Sequence, residues 1–393
     1  MLAVQFVRSL PGYALVRASR GHPAVATGDL SMLHLGDVEE PQVPGPGWVR
    51  VRPRLSGICG SDLSAITGHA SRYLDLLTSY PFVPGHEVVG VLDDGTRVVV
   101  EPALGCCARG LSPACRSCAE GRPGGCERVT EGVVGPGLQI GYCADTGGGW
   151  GEVLVAHESQ LHPVPAGLPD EAAVLIEPLA CCVHAVLQGR ASPDDVVVVQ
   201  GAGTIGLLTV AAVRRLTPPR RLICVAKHPV QREHAVRLGA DQVVTPDRLF
   251  QRLRFATGAR RLGNPDRPLL LGGVDLAFEC TGSGRGLDDA VRFTRAGGRI
   301  VCVGMPGREE VDWAPIWQRE LNVTGSYAYG TERDGRRTFE LALEIAPELG
   351  LERLTGPLFP LGEYRRAVAY AHSAGRLGAV KVAFDLRSLA GPD

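Results

Sequence analysis

The chain has 393 residues, of which 45% are hydrophobic and 21% are charged. This length and composition suit a globular protein with two separately packed cores and argue against a disordered chain. The formal net charge of -1 gives no electrostatic reason to expect nucleic acid or an anionic membrane surface as a partner. No uninterrupted apolar run approaches the roughly 20 residues of a membrane helix, and no secretion signal opens the chain, so we expect a cytoplasmic protein.

The first 180 residues are interrupted by many glycines and prolines. Short valine-rich runs lie between these residues, at 48–51, 88–92 and 97–100, and such runs bounded by turn residues are typical of strands. This part of the chain therefore predicts an irregular, mostly antiparallel β domain.

Apolar runs alternate with helical segments from about residue 190 to residue 320. The pattern predicts strands at 196–199, 222–226, 274–278 and 300–303, and helices at 204–216 and 231–238. This rhythm is typical of an α/β domain built on a doubly wound parallel sheet. The stretch 252–271, rich in Arg, Gly and Pro, is predicted to be a surface loop. The tail ends in a short strand at 380–384, which we expect to return to the first domain.

Five of the twelve cysteines lie in one stretch rich in Gly and Pro. Cys115, Cys118 and Cys126 follow the adjacent pair Cys106 and Cys107. This spacing favours a closed tetrahedral zinc site over a disulfide framework, and the zinc would stabilise a lobe without a core of its own. The spacing does not distinguish Cys106 from Cys107 as the first ligand, and we favour Cys106. The alternative is a loop of unpaired, reduced cysteines.

A second set of potential metal ligands is dispersed along the chain. Cys59 lies in G-I-C-G-S-D, His86 and Glu87 lie in P-G-H-E, and Glu177 lies in I-E-P-L-A. One thiolate, one imidazole and a carboxylate would leave an open position on zinc, as a catalytic site requires. Taken singly, each residue also has an ordinary structural explanation: a buried cysteine, a turn histidine or a capping glutamate.

A glycine-rich turn follows the predicted strand at 196–199, with the sequence G-A-G-T-I-G. Gly201 permits the tight turn, Gly203 lets the backbone approach a pyrophosphate, and Gly206 lets the helix pack on the strand. The first N–H groups of the helix, at Thr204 and Ile205, would face the phosphates. A turn without a ligand is the alternative, which the flanking strand and helix disfavour.

The end of the next strand reads Val225-Ala226-Lys227-His228, without the acid that usually binds a free ribose 2′-hydroxyl. Lys227, helped by His228 and Arg232, could attract a 2′-phosphate instead. NADP is therefore the expected cofactor. The alternative is that Lys227 is a solvated surface lysine and that NAD binds.

These motifs, in this order and together with the strand at 297–301, resemble the zinc-containing alcohol/polyol dehydrogenase family over nearly the whole chain. The resemblance implies a GroES-like catalytic domain and a Rossmann domain, with zinc and nicotinamide meeting in a cleft between them. We expect the catalytic domain at 1–185, completed by 322–393, and the Rossmann domain at 186–321. The expected reaction transfers hydride between a secondary alcohol, polyol or sugar-like substrate and NAD(P).

The resemblance also implies roles for individual residues. Cys59 and His86 would be ligands of the catalytic zinc, while Glu87 and Glu177 would be carboxylates that ligate or exchange with water. Glu177 stands where some alcohol dehydrogenases carry cysteine, which favours the polyol, sugar and threonine dehydrogenase branch. Ser61 would pass the hydroxyl proton outward. The turns at Cys280-Thr281 and Val303-Gly304 are expected to hold the nicotinamide.

One departure concerns the proton relay, because many relatives have a histidine where this chain has Ser64. The relay could run from Ser61 through the ribose hydroxyl to water, or through His69.

Two other functions share this scaffold. A zinc-free enoyl or quinone reductase is disfavoured by the intact ligand set, and a non-catalytic dinucleotide-binding scaffold would keep only the structural zinc. Dimers and tetramers are common in the family, and 321–329 could supply an edge strand for such assembly.

Overall fold

The computed structural model describes residues 1–264 and 267–389. The chain divides into two compact units, Met1–Glu177 with Ala328–Asp393, and Pro178–Tyr327. The predicted domain boundary at 185/186 falls inside a helix, Ile176–Gly189. The second unit also extends beyond the predicted boundary at 321/322.

The strands, in chain order, are β1 (Leu2–Phe6), β2 (Leu33–Asp37), β3 (Trp48–Gly57), β4 (Glu87–Val91), β5 (Arg97–Val100), β6 (Leu154–His157), β7 (Leu161–Pro163), β8 (Val196–Gln200), β9 (Arg221–Val225), β10 (Gln242–Val244), β11 (Arg260–Leu262), β12 (Leu269–Leu271), β13 (Val274–Glu279), β14 (Thr294–Cys302), β15 (Asn322–Gly325), β16 (Thr355–Pro360) and β17 (Lys381–Asp385).

The helices are α1 (Leu10–Ala18), α2 (Pro23–Ala26), α3 (Gly60–Ile66), α4 (Arg116–Ala119), α5 (Asp170–Ala173), α6 (Ile176–Gly189), α7 (Thr204–Leu216), α8 (Pro229–Arg237), α9 (Leu249–Thr257), α10 (Gly284–Phe293), α11 (Ala314–Gln318), α12 (Thr338–Ile345) and α13 (Tyr364–His372). Short 3₁₀ turns occupy Arg72–Leu77, Pro123–Gly125, Glu158–Gln160, Pro246–Arg248, Ala346–Glu348, Leu351–Leu354, Leu361–Glu363 and Ala374–Leu377.

The first unit is built on a seven-stranded sheet in the order β16-β17-β3-β4-β5-β7, with β6 paired to β3. All these pairs are antiparallel except β16 with β17, as the expected irregular β domain requires. Its register places Gly57, at the end of β3, opposite Glu87 and opposite Ala383 of β17. The first residue of β4 and the middle of β17 are therefore brought to the same end of β3.

The second unit contains a six-stranded sheet in the order β10-β9-β8-β13-β14-β15. Every pair of neighbours in it is parallel, which confirms the predicted doubly wound α/β sheet. The valines of β8 are buried because helices cover both faces of such a sheet. The strand predicted at 300–303 is longer and begins at Thr294.

The prediction of a surface loop at 252–271 is wrong. Helix α9 runs to Thr257, where Gly258 ends it in a left-handed conformation (φ 70°), and β11 and β12 then form an antiparallel pair. Leu249 and Leu253 are buried one helical turn apart, and Leu270 is buried on β12. The many exposed arginines concealed this short apolar pattern, because only one side of each element faces the core.

One helical stretch, Asp170–Gly189, is long and apolar enough to cross a membrane by length and composition. However, 83% of its apolar window is buried inside the protein. A core helix of a globular unit passes the same test of length and composition, so the stretch is weak evidence for a membrane span.

Candidate active site and metal centres

Three dispersed residues converge at the end of β3. Cys59 precedes α3, and His86 and Glu87 lie at the start of β4. Their potential ligand atoms all lie within 4.8 Å of one another. Glu177, in the first turn of α6, is buried outside this group, and its charge acts on His86. The structure thus brings a thiol, an imidazole and a carboxylate together.

Two residues of α3 support this cluster. The carboxylate of Asp62 accepts a hydrogen bond from the Cys59 N–H (2.9 Å), and its other oxygen lies 3.5 Å from His86 Nδ1. A carboxylate behind one ring nitrogen orients a histidine that uses the other nitrogen as a metal ligand. The Ser61 hydroxyl lies 3.5 Å from that other nitrogen, Nε2. Ser61 therefore stands on the side of His86 that a metal would occupy.

A buried lysine fixes the carboxylate of the cluster. Lys381, at the start of β17, is only 2% exposed, and its ammonium group bonds Glu87 Oε2 and the Ile58 carbonyl oxygen. Burial acts to lower the pKa of Lys381, but the negative charge of Glu87, its hydrogen bond and smaller contributions from neighbouring groups together outweigh burial and raise the pKa. A buried ion pair with this additional hydrogen bond holds both partners in one geometry.

The donor set fits a zinc ion. Sulfur, nitrogen and carboxylate oxygen are the ligands that zinc prefers, and three of them leave a further position open. Burial acts to lower the pKa of His86, yet the charges of Asp62 and Cys59 raise it well above its usual value. The surroundings of the ring therefore favour a cation, and a divalent ion satisfies that demand as well as a proton does.

A second cluster holds four sulfur atoms. Those of Cys106, Cys115, Cys118 and Cys126 lie within 4.8 Å of one another, whereas Cys107 is exposed. The Cys106 and Cys126 sulfurs are 3.7 Å apart, and those of Cys115 and Cys126 are 4.0 Å apart. Four thiolates bonded tetrahedrally to zinc at about 2.3 Å would be separated by about 3.8 Å. This lobe therefore fits a closed zinc site that includes Cys106.

Backbone N–H groups donate hydrogen bonds to these sulfurs, an arrangement that stabilises thiolates. Cys106 N donates to Cys118 (3.3 Å), and Glu127 N donates to Cys115 (3.4 Å). Burial acts to raise the pKa of Cys115, but the N–H groups of Cys118 and Glu127 lower it to about 7. The surroundings of Cys115 thus favour a charged sulfur before a metal binds.

The glycine-rich turn between β8 and α7 has the geometry of a phosphate loop. Gly201 has a positive φ of 97°, and a Cβ on Gly206 would lie 2.0 Å from the carbonyl oxygen of Gly201. A Cβ on Gly203 would meet nothing within 4 Å. Gly201 and Gly206 are therefore required by the fold itself, while the open space beside Gly203 is available to a ligand. Thr204 and Ile205 form the first turn of α7.

The residues predicted to bind the adenosine end lie together after β9. Lys227 is exposed, His228 precedes α8, and the Arg232 guanidinium donates to the Lys227 carbonyl oxygen at 3.0 Å. No carboxylate stands at the end of β9, so a negative phosphate meets no repulsion from that strand.

A buried acid shapes the two turns predicted to hold the nicotinamide. The Glu279 carboxylate accepts hydrogen bonds from the N–H groups of Thr281 (2.8 Å) and Gly282 (3.0 Å). The Glu279 carbonyl oxygen accepts bonds from Val303 and Gly304. Cys280 in turn donates to the carbonyl oxygen of Gln200, before the phosphate loop. These turns and the loop therefore form one connected structure.

Sequence reasoning gave no role to Asp62, Tyr142, Glu279 or Lys381. The Tyr142 hydroxyl donates to Asp62 Oδ1 at 3.3 Å. Burial and, next, the charge of Asp62 raise the pKa of Tyr142 well above its usual value.

The sequence did contain one signal for a missed residue: Lys381 is one of only two lysines among 41 lysines and arginines. A lysine in an arginine-rich chain indicates a position that requires a compact ammonium group. The alternative relay residue, His69, is exposed and bonds Thr67.

Comparison with known proteins gives matches to two families. Residues 45–166 match the alcohol dehydrogenase GroES-like domain, and residues 204–346 match the zinc-binding dehydrogenase family. The L-threonine 3-dehydrogenase of Streptomyces avermitilis is 31% identical over 356 residues, which cover 88% of this chain and 95% of that protein. The sorbitol dehydrogenase of Arabidopsis thaliana is 28% identical over 363 residues, covering 87% and 89% respectively.

A solved structure shares the fold. It is a chain from Sinorhizobium meliloti 1021, assigned to the zinc-binding dehydrogenases and solved with bound NADP. It superposes with a TM-score of 0.69 at 26% identity, covering 90% of this chain and 95% of that one.

Proposed function

The chain belongs to the zinc-dependent medium-chain alcohol/polyol dehydrogenase family, and we propose that it transfers hydride between a secondary hydroxyl group of a polyol or sugar-like substrate and NADP. It is an oxidoreductase of CH-OH groups that uses zinc and a nicotinamide dinucleotide. The observation that supports the proposed site most is the convergence of Cys59, His86 and Glu87 within 4.8 Å.

We propose that Glu87, rather than Glu177, completes the ligand set of the catalytic zinc. Its carboxylate lies in the same 4.8 Å group as Cys59 and His86, and Lys381 fixes its Oε2 atom. Glu177, buried nearby, would face the substrate or a water molecule. Glu87→Gln is expected to lose one zinc equivalent per chain, whereas Glu177→Gln retains both and loses turnover. Loss of zinc only in the Glu177 variant would reverse this assignment.

The mechanism assigns a step to each group of residues. When bound, the zinc supplies the Lewis acidity that favours loss of the hydroxyl proton, and the dinucleotide supplies the hydride acceptor. Asp62 orients the ring of His86, and Lys381 holds Glu87. As the Ser61 hydroxyl accepts the proton of the substrate hydroxyl, it would release its own proton outward, towards the ribose hydroxyl and water.

The second unit would bind the dinucleotide. The pyrophosphate would lie over Gly201, Gly203 and the N–H groups of Thr204 and Ile205. The turns at Cys280-Thr281 and Val303-Gly304, held by Glu279, would position the nicotinamide.

The preference for NADP would come from Lys227, His228 and Arg232. A charge-assisted bond to a 2′-phosphate contributes about 1.5–3 kcal/mol, so Lys227→Ala is expected to raise the KM for NADP about tenfold or more. The KM for NAD should hardly change. Arg221→Ala, at the opposite end of the same strand, is the matched control. An equal effect on both dinucleotides would contradict the proposed role.

The first test of the function is turnover by zinc-loaded protein across polyols, sugars, amino alcohols and simple alcohols, each with NAD and NADP. We expect one polyol or sugar-like class to react, with NADP favoured. Cys59→Ala should abolish turnover while dinucleotide binding stays measurable. Two zinc ions per chain fit the dehydrogenase, whereas one zinc and no turnover in either direction would favour a non-catalytic scaffold.

We further propose a cytoplasmic homodimer or homotetramer. None of the twelve cysteines forms a disulfide, which fits a reducing compartment. Strand β15 is paired only with β14 among the described residues, and its four residues are exposed. An exposed sheet edge pairs readily with a second copy of the same chain. Light scattering should find an oligomer, and Val323→Lys should shift it towards monomer.

A further inference from the structure

The ion pair between Glu87 and Lys381 spans an intervening strand. Glu87 is the first residue of β4 and Lys381 is the first residue of β17, and β3 lies between these two strands in the sheet. Neighbouring strands are spaced by about 4.8 Å, so the backbones of β4 and β17 are about 10 Å apart. The two side chains must therefore meet over β3.

Gly57 is the residue of β3 over which the Glu87 side chain lies. It is paired with Glu87 on one side and with Ala383 on the other. A Cβ on Gly57 would lie 2.0 Å from Glu87 Oε2 and 3.1 Å from both Cβ and Cδ of Glu87. Residues directly opposite in a sheet ordinarily keep their Cβ atoms about 4.5–5.5 Å apart. The Glu87 side chain thus occupies the space that a side chain at position 57 would fill.

The backbone that follows Gly57 is fixed by the same neighbouring strand. The carbonyl oxygen of Ile58 accepts a hydrogen bond from the Lys381 ammonium group at 3.1 Å, and the Ile58 N–H donates to the Val382 carbonyl oxygen at 2.9 Å. The next residue, Cys59, belongs to the potential metal ligands. Gly57 therefore lies in backbone that is bonded to strands on both sides and has little freedom to withdraw from Glu87.

Building on the proposed function, we infer that Gly57 is a positioning residue for the catalytic metal. The gap left by its missing side chain seats the Glu87 carboxylate, so that Lys381 holds Oε2 and the other carboxylate oxygen is left for the ion. Gly57 itself contacts neither metal nor substrate and acts through Glu87. Since the backbone is held on both sides, a methyl group at position 57 would displace the flexible Glu87 side chain.

The first test measures zinc affinity of the loaded protein by competition with a chelator. Gly60→Ala is the matched control for Gly57→Ala, because Gly60 adjoins Cys59 and a Cβ there would meet nothing within 4 Å. We expect Gly57→Ala to weaken the catalytic zinc about tenfold to a hundredfold and to retain the zinc of the four-cysteine site. Gly60→Ala should match the wild type. Wild-type affinity in Gly57→Ala would overturn the inference.

A spectroscopic readout reports the position of the carboxylate itself. Cobalt in place of the catalytic zinc changes its visible absorption with its ligands and their geometry. We expect an altered spectrum in Gly57→Ala and the wild-type spectrum in Gly60→Ala. Weaker binding with an unchanged spectrum would mean that the ligands keep their places, and it would overturn the role of Gly57 in seating Glu87.

A third background separates this role from a general need for glycine in β3. Glu87→Ala combined with Lys381→Met removes the carboxylate and leaves no buried charge unpaired. Adding Gly57→Ala to that chain should hardly change the urea midpoint, whereas adding it to the wild type should lower the midpoint. An equal drop in both backgrounds would assign Gly57 to the fold of β3 and overturn the inference. Two zinc equivalents and turnover in the wild type test the proposed function separately, so its failure is distinguished from failure of this inference.

Discussion

Arg109 organises the cysteine lobe from its interior, and its removal gives a sharp test of how the lobe is stabilised. The side chain is fully buried (0% exposed), and burial lowers the pKa of its guanidinium group. Its three nitrogens donate at 2.7–3.3 Å to five backbone carbonyl oxygens, those of Leu104, Glu131, Val134, Gly135 and Gly137. The guanidinium therefore ties the first and last parts of the lobe together.

Arg109→Met keeps much of the side-chain volume and leaves all five carbonyl groups without this donor. Three of these oxygens, those of Leu104, Val134 and Gly137, are buried, and a buried carbonyl left without a donor costs at least about 1 kcal/mol, so the loss is about 3 kcal/mol or more. Because the guanidinium no longer has to be desolvated, part of this loss is offset, and we expect a net loss of about 2 kcal/mol. The control Arg128→Met removes an exposed ion pair with Glu131 and an exposed hydrogen bond to the Pro113 carbonyl oxygen. An exposed ion pair contributes about 0–1 kcal/mol.

The assay follows zinc release to a chromogenic chelator during urea unfolding, because zinc binding and folding of the lobe are coupled. Arg109→Met should release one zinc equivalent at a clearly lower urea concentration than the wild type, and Arg128→Met should not. If the two variants released zinc at the same urea concentration, the buried guanidinium would not stabilise the lobe and the reasoning would be refuted.

Three further predictions concern single positions. Gly203→Ala should fold normally and weaken dinucleotide binding, measured by calorimetry. Gly206→Ala, whose Cβ would lie 2.0 Å from a carbonyl oxygen, should have a much lower free energy of unfolding. Equal stability of the two variants would contradict the loop geometry. By metal analysis, Cys115→Ser should retain one zinc equivalent instead of two, and Cys107→Ser should retain both. Loss of zinc from Cys107→Ser would make Cys107 a zinc ligand in place of Cys106. Lys381→Met strands a buried carboxylate and should lower the free energy of unfolding by about 3 kcal/mol; an unchanged urea midpoint would contradict a stabilising role for the ion pair.

Local patterns in the sequence predicted much of the fold. The valine run, the glycine-rich turn and helix α7 are consecutive in the chain, so strand, turn and helix could be predicted together, and the helix bounds at 204–216 are confirmed. The cysteine spacing likewise predicted one lobe, because its members lie within a short stretch. The paired strands β11 and β12 were missed because their core contacts involve few residues and the exposed arginines dominate the pattern.

The sequence by itself determined the family, the doubly wound sheet and the chemical types of the site residues, because these depend on local order along the chain. Tertiary structure alone decided which side chains meet. Lys381 reaches Glu87 across 294 residues, and Tyr142 reaches Asp62 across 80. It also placed the sulfur of Cys106 inside the cluster and left Cys107 exposed. Such pairings are set by sheet register and loop packing, which bring distant segments together and have no signature in the spacing of either partner.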